Sequence, residues 1–187
     1  MQCLSEPDRD AILELARQAV EEAVCWGRVL EGIPKTEVFE RKCGVFVTLH
    51  AGKRLRGCIG VIDARESLGY SLARCAASAA LEDPRFNRVR PEEMGDLEIE
   101  VSLLSPLERI RPEEIEIGRH GLLVEKGFHR GLLLPQVAVE HQLDKEQFLR
   151  ETCHKAGLPG EAWKEPETRI YGFTCEILMK EERAKQK

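Results

Sequence analysis

The sequence predicts an α+β fold, a two-lobed single domain over residues 1–187 in which antiparallel sheets are flanked by helices. Three observations lead there. Apolar residues recur at helical spacing in the N-terminal segment. They alternate at strand spacing around residues 45–62 and 97–104. The strands come mainly as hairpins rather than as partners of long crossovers, which favours antiparallel pairing with helices on one side.

Each element has its own signal. Ser5-Glu6-Pro7-Asp8 starts a helix: Ser5 caps, Pro7 fits the first turn, and Asp8 suits the positive end of the dipole. Ile12, Ala16, Ala19, Ala23 and Val24 give that helix an apolar face, and Gly32 and Pro34 are expected to end it. Val45, Val47 and Leu49 alternate with Phe46, Thr48 and His50, and 54–62 reads as the returning strand. A three-residue loop, Ala51-Gly52-Lys53, would pair Leu49 with Leu55, Val47 with Gly57 and Val45 with Ile59 on one apolar face. Phe46, Thr48, His50, Arg54, Arg56 and Cys58 would then share the other face. A two-residue loop would mix the faces, which a half-buried sheet disfavours.

Residues 67–81 are Ala-rich and helical, and Asp83-Pro84-Arg85-Phe86 breaks the helix. Leu97, Ile99, Val101 and Leu103 face one way in the next strand. Residues 121–124 and 132–134 are short apolar strands around a turn at 127–131. Pro135-Gln136 opens a helical stretch. Asp144 and Gln147 form a capping box for a helix through Ala156, with Gly157 as its stop. Residues 170–179 read as a last strand, followed by a charged tail expected to fray.

Composition narrows the function. The net charge of −5, with bases interspersed among acids, argues against gripping generic nucleic acid through its phosphates. The cysteine count is seven, an odd number, and no C-x-x-C occurs, which argues against a disulfide scaffold or a four-cysteine zinc site. Pro7-Asp8-Arg9-Asp10 interrupts any leader-like apolar run. No stretch approaches the ~18 apolar residues of a membrane span. A cytoplasmic location and no membrane partner are therefore expected.

Cys58 is the candidate catalytic group. On the register above, Arg56 shares its face, and a nearby guanidinium favours the thiolate. Gly57 and Gly60 would let a ligand approach the backbone closely. The alternative is a buried structural cysteine, the commoner case for this residue type. Arg56 suits a carboxylate or phosphate on a ligand, or equally an internal ion pair. Arg85 joins the ligand-binding candidates, although Asp83 and Arg85 around Pro84 also suit a turn. Gln136 could offer a donor and an acceptor at the start of its helix, or serve local backbone. Lys155 is a further ligand-binding candidate, against the reading that it complements its helix dipole. No metal site is expected: Cys153-His154 are adjacent and point apart, and no H-x-x-x-H occurs with them or with His120. No phosphate loop is present, and no cofactor is singled out.

Several motifs carry a resemblance. Gly44-Val45-Phe46-Val47-Thr48-Leu49 and Leu55-Arg56-Gly57-Cys58-Ile59-Gly60 resemble the signature of the AMME chromosomal region gene 1 (AMMECR) domain family. In order follow Asp83-Pro84-Arg85-Phe86, residues 101–105, residues 117–122, Gly131-Leu132-Leu133-Leu134-Pro135-Gln136 and Cys153-His154-Lys155-Ala156-Gly157. The resemblance runs over roughly residues 8–180. It implies a two-lobed α+β fold with antiparallel sheets. It also implies, in prokaryotes, an association with Memo-type proteins, relatives of non-haem iron dioxygenases, and with radical S-adenosylmethionine (radical SAM) enzymes. It implies no particular reaction.

Two functions are therefore expected to compete. One is binding of a small anionic ligand in an inter-lobe cleft near the 55–60 strand, as an enzyme or enzyme component. The other is a non-enzymatic module that docks onto a Memo-like protein.

Overall fold

A computed structural model of the protein describes residues 4–63 and 65–180. The tail expected to fray lies, from residue 181 onward, outside the described residues. In chain order the helices are α1 (Glu6–Trp26), α2 (Glu37–Glu40), α3 (Leu68–Leu81), α4 (Pro135–Glu140) and α5 (Lys145–Lys155). The strands are β1 (Gly44–Ala51), β2 (Arg54–Val61), β3 (Leu97–Leu104), β4 (Glu108–Arg109), β5 (Gly121–Lys126), β6 (His129–Leu133), β7 (Arg169–Phe173) and β8 (Cys175–Met179). The fold is α+β, and the chain divides into two compact units: 1–104 with 176–187, and 105–175.

The first unit is built on a sheet of order β2-β1-β3-β8, with β1 antiparallel to both neighbours. Helices α1 and α3 cover its apolar face. Ile12, Ala16, Ala19 and Val20 of α1 and Leu72, Ala76 and Ala79 of α3 close over Val45, Val47, Leu49 and Val101, all buried. The small residues of α3 let its backbone come close to the sheet. The capping box at the head of α1 forms as expected: the Ser5 Oγ accepts from the Asp8 N–H, and the Asp8 carboxylate accepts from the Ser5 N–H. The helix stops earlier than Gly32, because Gly27 adopts φ 67° and its N–H closes onto the Ala23 carbonyl.

The β1–β2 hairpin corrects the expected register. Ala51 pairs with Arg54, so the turn is the two-residue Gly52-Lys53, with Gly52 at φ 59°. His50 pairs with Leu55, but Leu49 pairs with Gly57, so Arg56 is an extra, bulged residue. The bulge restores the parity that a two-residue turn would otherwise break. Val45, Val47 and Leu49 thereby still face the core, now opposite Val61, Ile59 and Gly57. Leu55, on the turn side of the bulge, loses its expected place on the apolar face and is 40% exposed.

The second unit is built on a sheet of order β4-β7-β5-β6. Leu122 packs with Ile115, Phe148, Leu149 and Ile170, and Val124 packs with Cys153, Ala156 and Ala162. The Asp144–Gln147 capping box starts α5 as expected. A Cβ on Gly131 would stand 2.3 Å from the Ala156 nitrogen, so only glycine lets the end of α5 lie against β6. The expected single strand at 170–179 is divided at Thr174. Its N–H donates to Ser105 Oγ and its carbonyl accepts from the Ser105 N–H, which takes both groups out of the ladder. The halves, β7 and β8, belong to different sheets. Among the described residues no helix is long and apolar enough to cross a membrane.

Candidate functional site

β2 is an edge strand, so alternate backbone groups on it point away from β1. At Cys58 those groups are occupied by side chains from the segment after α3. The Cys58 N–H donates to Asp83 Oδ2 at 2.8 Å, and the Cys58 carbonyl accepts from Arg85 Nη2 at 3.2 Å. Asp83 also accepts from the Arg85 N–H, Nε and Nη2 at 3.1, 3.0 and 2.7 Å. Its side chain is only 2% exposed. The Arg85 guanidinium, helped by the Cys58 and Arg85 N–H groups, holds the Asp83 carboxyl well below the usual carboxylate range despite its burial. The Leu55–Gly60 and Asp83–Phe86 motifs are thus parts of one assembly.

Arg56 is anchored the same way. Nε and Nη2 form a forked pair with Glu93 at 2.8 and 3.1 Å. Nη1 and Nη2 also donate to the carbonyls of Asn87 and Arg88 at 2.6 and 3.0 Å. The Arg56 side chain is 16% exposed. Glu93 is pushed down to about 2, first by the Arg56 guanidinium and then by the Arg90 N–H. Of the two roles open to Arg56 in the sequence, the internal ion pair is the one formed, and every guanidinium nitrogen is engaged within the protein.

The Cys58 thiol is half-buried and accepts from Thr48 Oγ1 at 3.4 Å across the hairpin. His50 lies further along β1, with Nε2 at 3.8 Å from Glu100 on β3. The sulfur's bonded neighbour is a hydroxyl, not a side chain that could act as its general base. The space left by the two glycines is filled by the protein itself. A Cβ on Gly57 would lie 2.1 Å from the Ala79 carbonyl oxygen of α3, and one on Gly60 2.3 Å from the Phe46 ring. Neither glycine opens the backbone to a ligand.

Gln136 and Lys155 lie in the second unit. Gln136 Oε1 is buried and has no hydrogen-bond partner among the described residues. Lys155 lines an open cleft with His141 and His154. His120 Nδ1 accepts from the Glu116 N–H at 3.1 Å and so closes a local turn. Among the described residues no three potential metal ligands come together.

The sequence reading missed two features. Glu93 carries no motif and lies 37 positions from Arg56, so nothing local announces their pairing. The second is a pair of adjoining clefts at the end of α1 and along α3, which share Arg28, Val29 and Arg74. Tyr70 lines the larger, of about 670 Å³, and Gly27 lines the smaller. Trp26 precedes Gly27 and is 69% exposed. Placing the helix stop at Gly27 would have revealed this exposed tryptophan. Neither Arg56 nor Cys58 lines these clefts or the one beside Lys155.

An α+β chain whose Leu55–Gly60 strand is sealed by an Asp-Pro-Arg-Phe segment defines a class through motifs spread along both units. The AMMECR1 family matches residues 13–178, and the chain belongs to that family. A protein of Thermococcus gammatolerans is 49% identical over 183 residues, covering 91% of this chain and 89% of the relative. One from Methanothermobacter thermautotrophicus is 43% identical over 185 residues, covering 94% of this chain and 95% of the relative. The crystal structure of an uncharacterized protein from Pyrococcus horikoshii is similar, with a TM-score of 0.87 and 43% identity over 93% of this chain and 92% of that one.

Proposed function

We propose that the chain is a non-enzymatic docking module that binds a protein partner through the face at the end of α1 and the start of α3. The observation that carries this is the exposure there of Trp26 at 69%, Val29 at 45% and Tyr70 at 44%. The chain has only two tryptophans and two tyrosines, and one of each is exposed here, Trp26 at the end of α1 and Tyr70 in the first turn of α3. Tryptophan, tyrosine and arginine are the residue types that dominate binding energy at protein interfaces. Arg74 lies over the Tyr70 ring at 5.6 Å and pairs with no carboxylate among the described residues. It suits an acidic group on a partner that also offers an apolar surface. The resemblance suggests a Memo-type protein, and a radical SAM enzyme next, as that partner.

The competing reading, a small anion bound beside the 55–60 strand, has less support. Arg56 is spent on Glu93, and the Cys58 thiol is paired with Thr48. Arg85 keeps an exposed side chain there, at 55%, but is bonded to Asp83.

The test is calorimetric titration of the protein with a purified Memo-type protein and, separately, with a radical SAM enzyme. A complex is expected with one of them, weakened at least about tenfold by Trp26→Ala and by Tyr70→Ala and unchanged by Cys58→Ser. Absence of binding to both, or a complex sensitive to Cys58→Ser and indifferent to the two aromatics, overturns the reading.

A further inference from the structure

We infer that the cleft beside α4 and the end of α5 is a binding site for a small amphipathic monoanion, a carboxylate on an apolar body. The cleft belongs wholly to the second unit, and the inference is independent of the docking face. Its volume is about 470 Å³, within the span of small-molecule sites. Leu133 at the end of β6, Val137 of α4 and Leu143 form its apolar wall. Leu133 and Leu143 are packed from behind by the core around Phe148 and Leu122, so the wall is supported. Polar groups come from His141 and from the last turns of α5.

The charges select the head group. The one acid lining the cleft, Glu151, has its Oε1 3.4 Å from His154 Nδ1 on the same helix. Lys155 has no ion pair and no side-chain hydrogen bond among the described residues, and neither has the His141 ring. The cleft therefore offers one unspent full cation with the His141 ring beside it. That suits a single carboxylate better than a phosphate dianion, which draws on several cations or a bidentate arginine. A lysine in the last turn also complements the helix dipole. The dipole accounts for the sign of the charge but not for an apolar wall facing it.

The test uses the full chain and three probes: octanoate, octylammonium and acetate. Binding is followed by the ring signals of His141 and His154 in nuclear magnetic resonance spectra. Octanoate is expected to shift both rings saturably, while acetate, without the apolar body, and octylammonium, with the opposite charge, leave them in place. Lys155→Met removes the exposed charge without disturbing the core and should weaken octanoate about tenfold. His141→Gln, which keeps a donor, should weaken it less. No saturable octanoate shift up to its solubility limit overturns the assignment. So does octylammonium binding as well as octanoate, or octanoate affinity unchanged by Lys155→Met.

Discussion

Replacing Arg56 with Met keeps the side chain's length and removes its charge. In the folded protein Arg56 makes four hydrogen bonds, two to Glu93 and two to the carbonyls of Asn87 and Arg88. Removing one partner of a fully buried ion pair costs about 3–5 kcal/mol. Two features reduce that here. The Glu93 side chain is 28% exposed, and it keeps the Arg90 N–H at 2.9 Å. The two carbonyls are open to water, which can replace the lost donors. The expected loss is therefore about 2 kcal/mol near neutral pH, or a fall in melting temperature of about 4–8 °C for a chain of this size. The loss should depend on pH in a definite direction. Glu93 is depressed in the folded state from 4.5 to about 2, so its contribution is present above 4.5 and disappears as pH falls towards about 2. Wild type and Arg56→Met should thus converge in acid. Urea unfolding across that window measures the difference, and an Arg56→Met/Glu93→Gln double variant should cost less than the two single variants summed. An unchanged midpoint would refute the anchoring argument and return Arg56 to the ligand-binding set. A loss that stays constant down to the lowest pH would assign it to packing rather than to the ion pair.

Two further outcomes are expected. Gly57→Ala should destabilise the protein by about 3 kcal/mol or more, because the new methyl meets the Ala79 carbonyl at 2.1 Å and α3 must lift from the sheet; denaturant melts with a loss below about 1 kcal/mol would show that the helix has room to move. Iodoacetamide should modify the exposed Cys25 ahead of Cys58, and Cys75 and Cys153 last, since both are buried and Cys75 is pushed up to about 11 by desolvation; mass spectrometry of peptides showing Cys58 modified first would mark it as an activated thiol.

Much of this was legible in the residues. The alternation of Val45, Val47 and Leu49 identifies the buried face because the side-chain period of a strand is two. Ser5 with Asp8, and Asp144 with Gln147, mark helix starts because capping is local. The misreadings arise where local and non-local requirements compete. A regular ladder leaves only loop length to set the parity of the hairpin, so the Arg56 bulge cannot be deduced from alternation. The break at Thr174 depends on Ser105, 69 positions away. For the candidate site, Arg56 was recognised as a residue needing a partner, but the choice between Glu93 and a ligand is tertiary. The roles of Gly57 and Gly60 were likewise invisible, since the atoms that fill their space, Ala79 O and the Phe46 ring, follow from how helix and hairpin stack.

The seal at Cys58 also bears on self-association. An unpaired strand at the rim of a sheet is a template on which a second chain can be laid, the first step toward fibrous aggregates. Here the template is blocked by a carboxylate and a guanidinium, one acting as the acceptor and the other as the donor that an incoming strand would have supplied. A foreign backbone must first displace a charged pair whose carboxylate is nearly buried. Because the Asp83 carboxyl titrates so far below the ordinary range, the block survives mild acid, a condition in which many carboxylate guards are protonated and released.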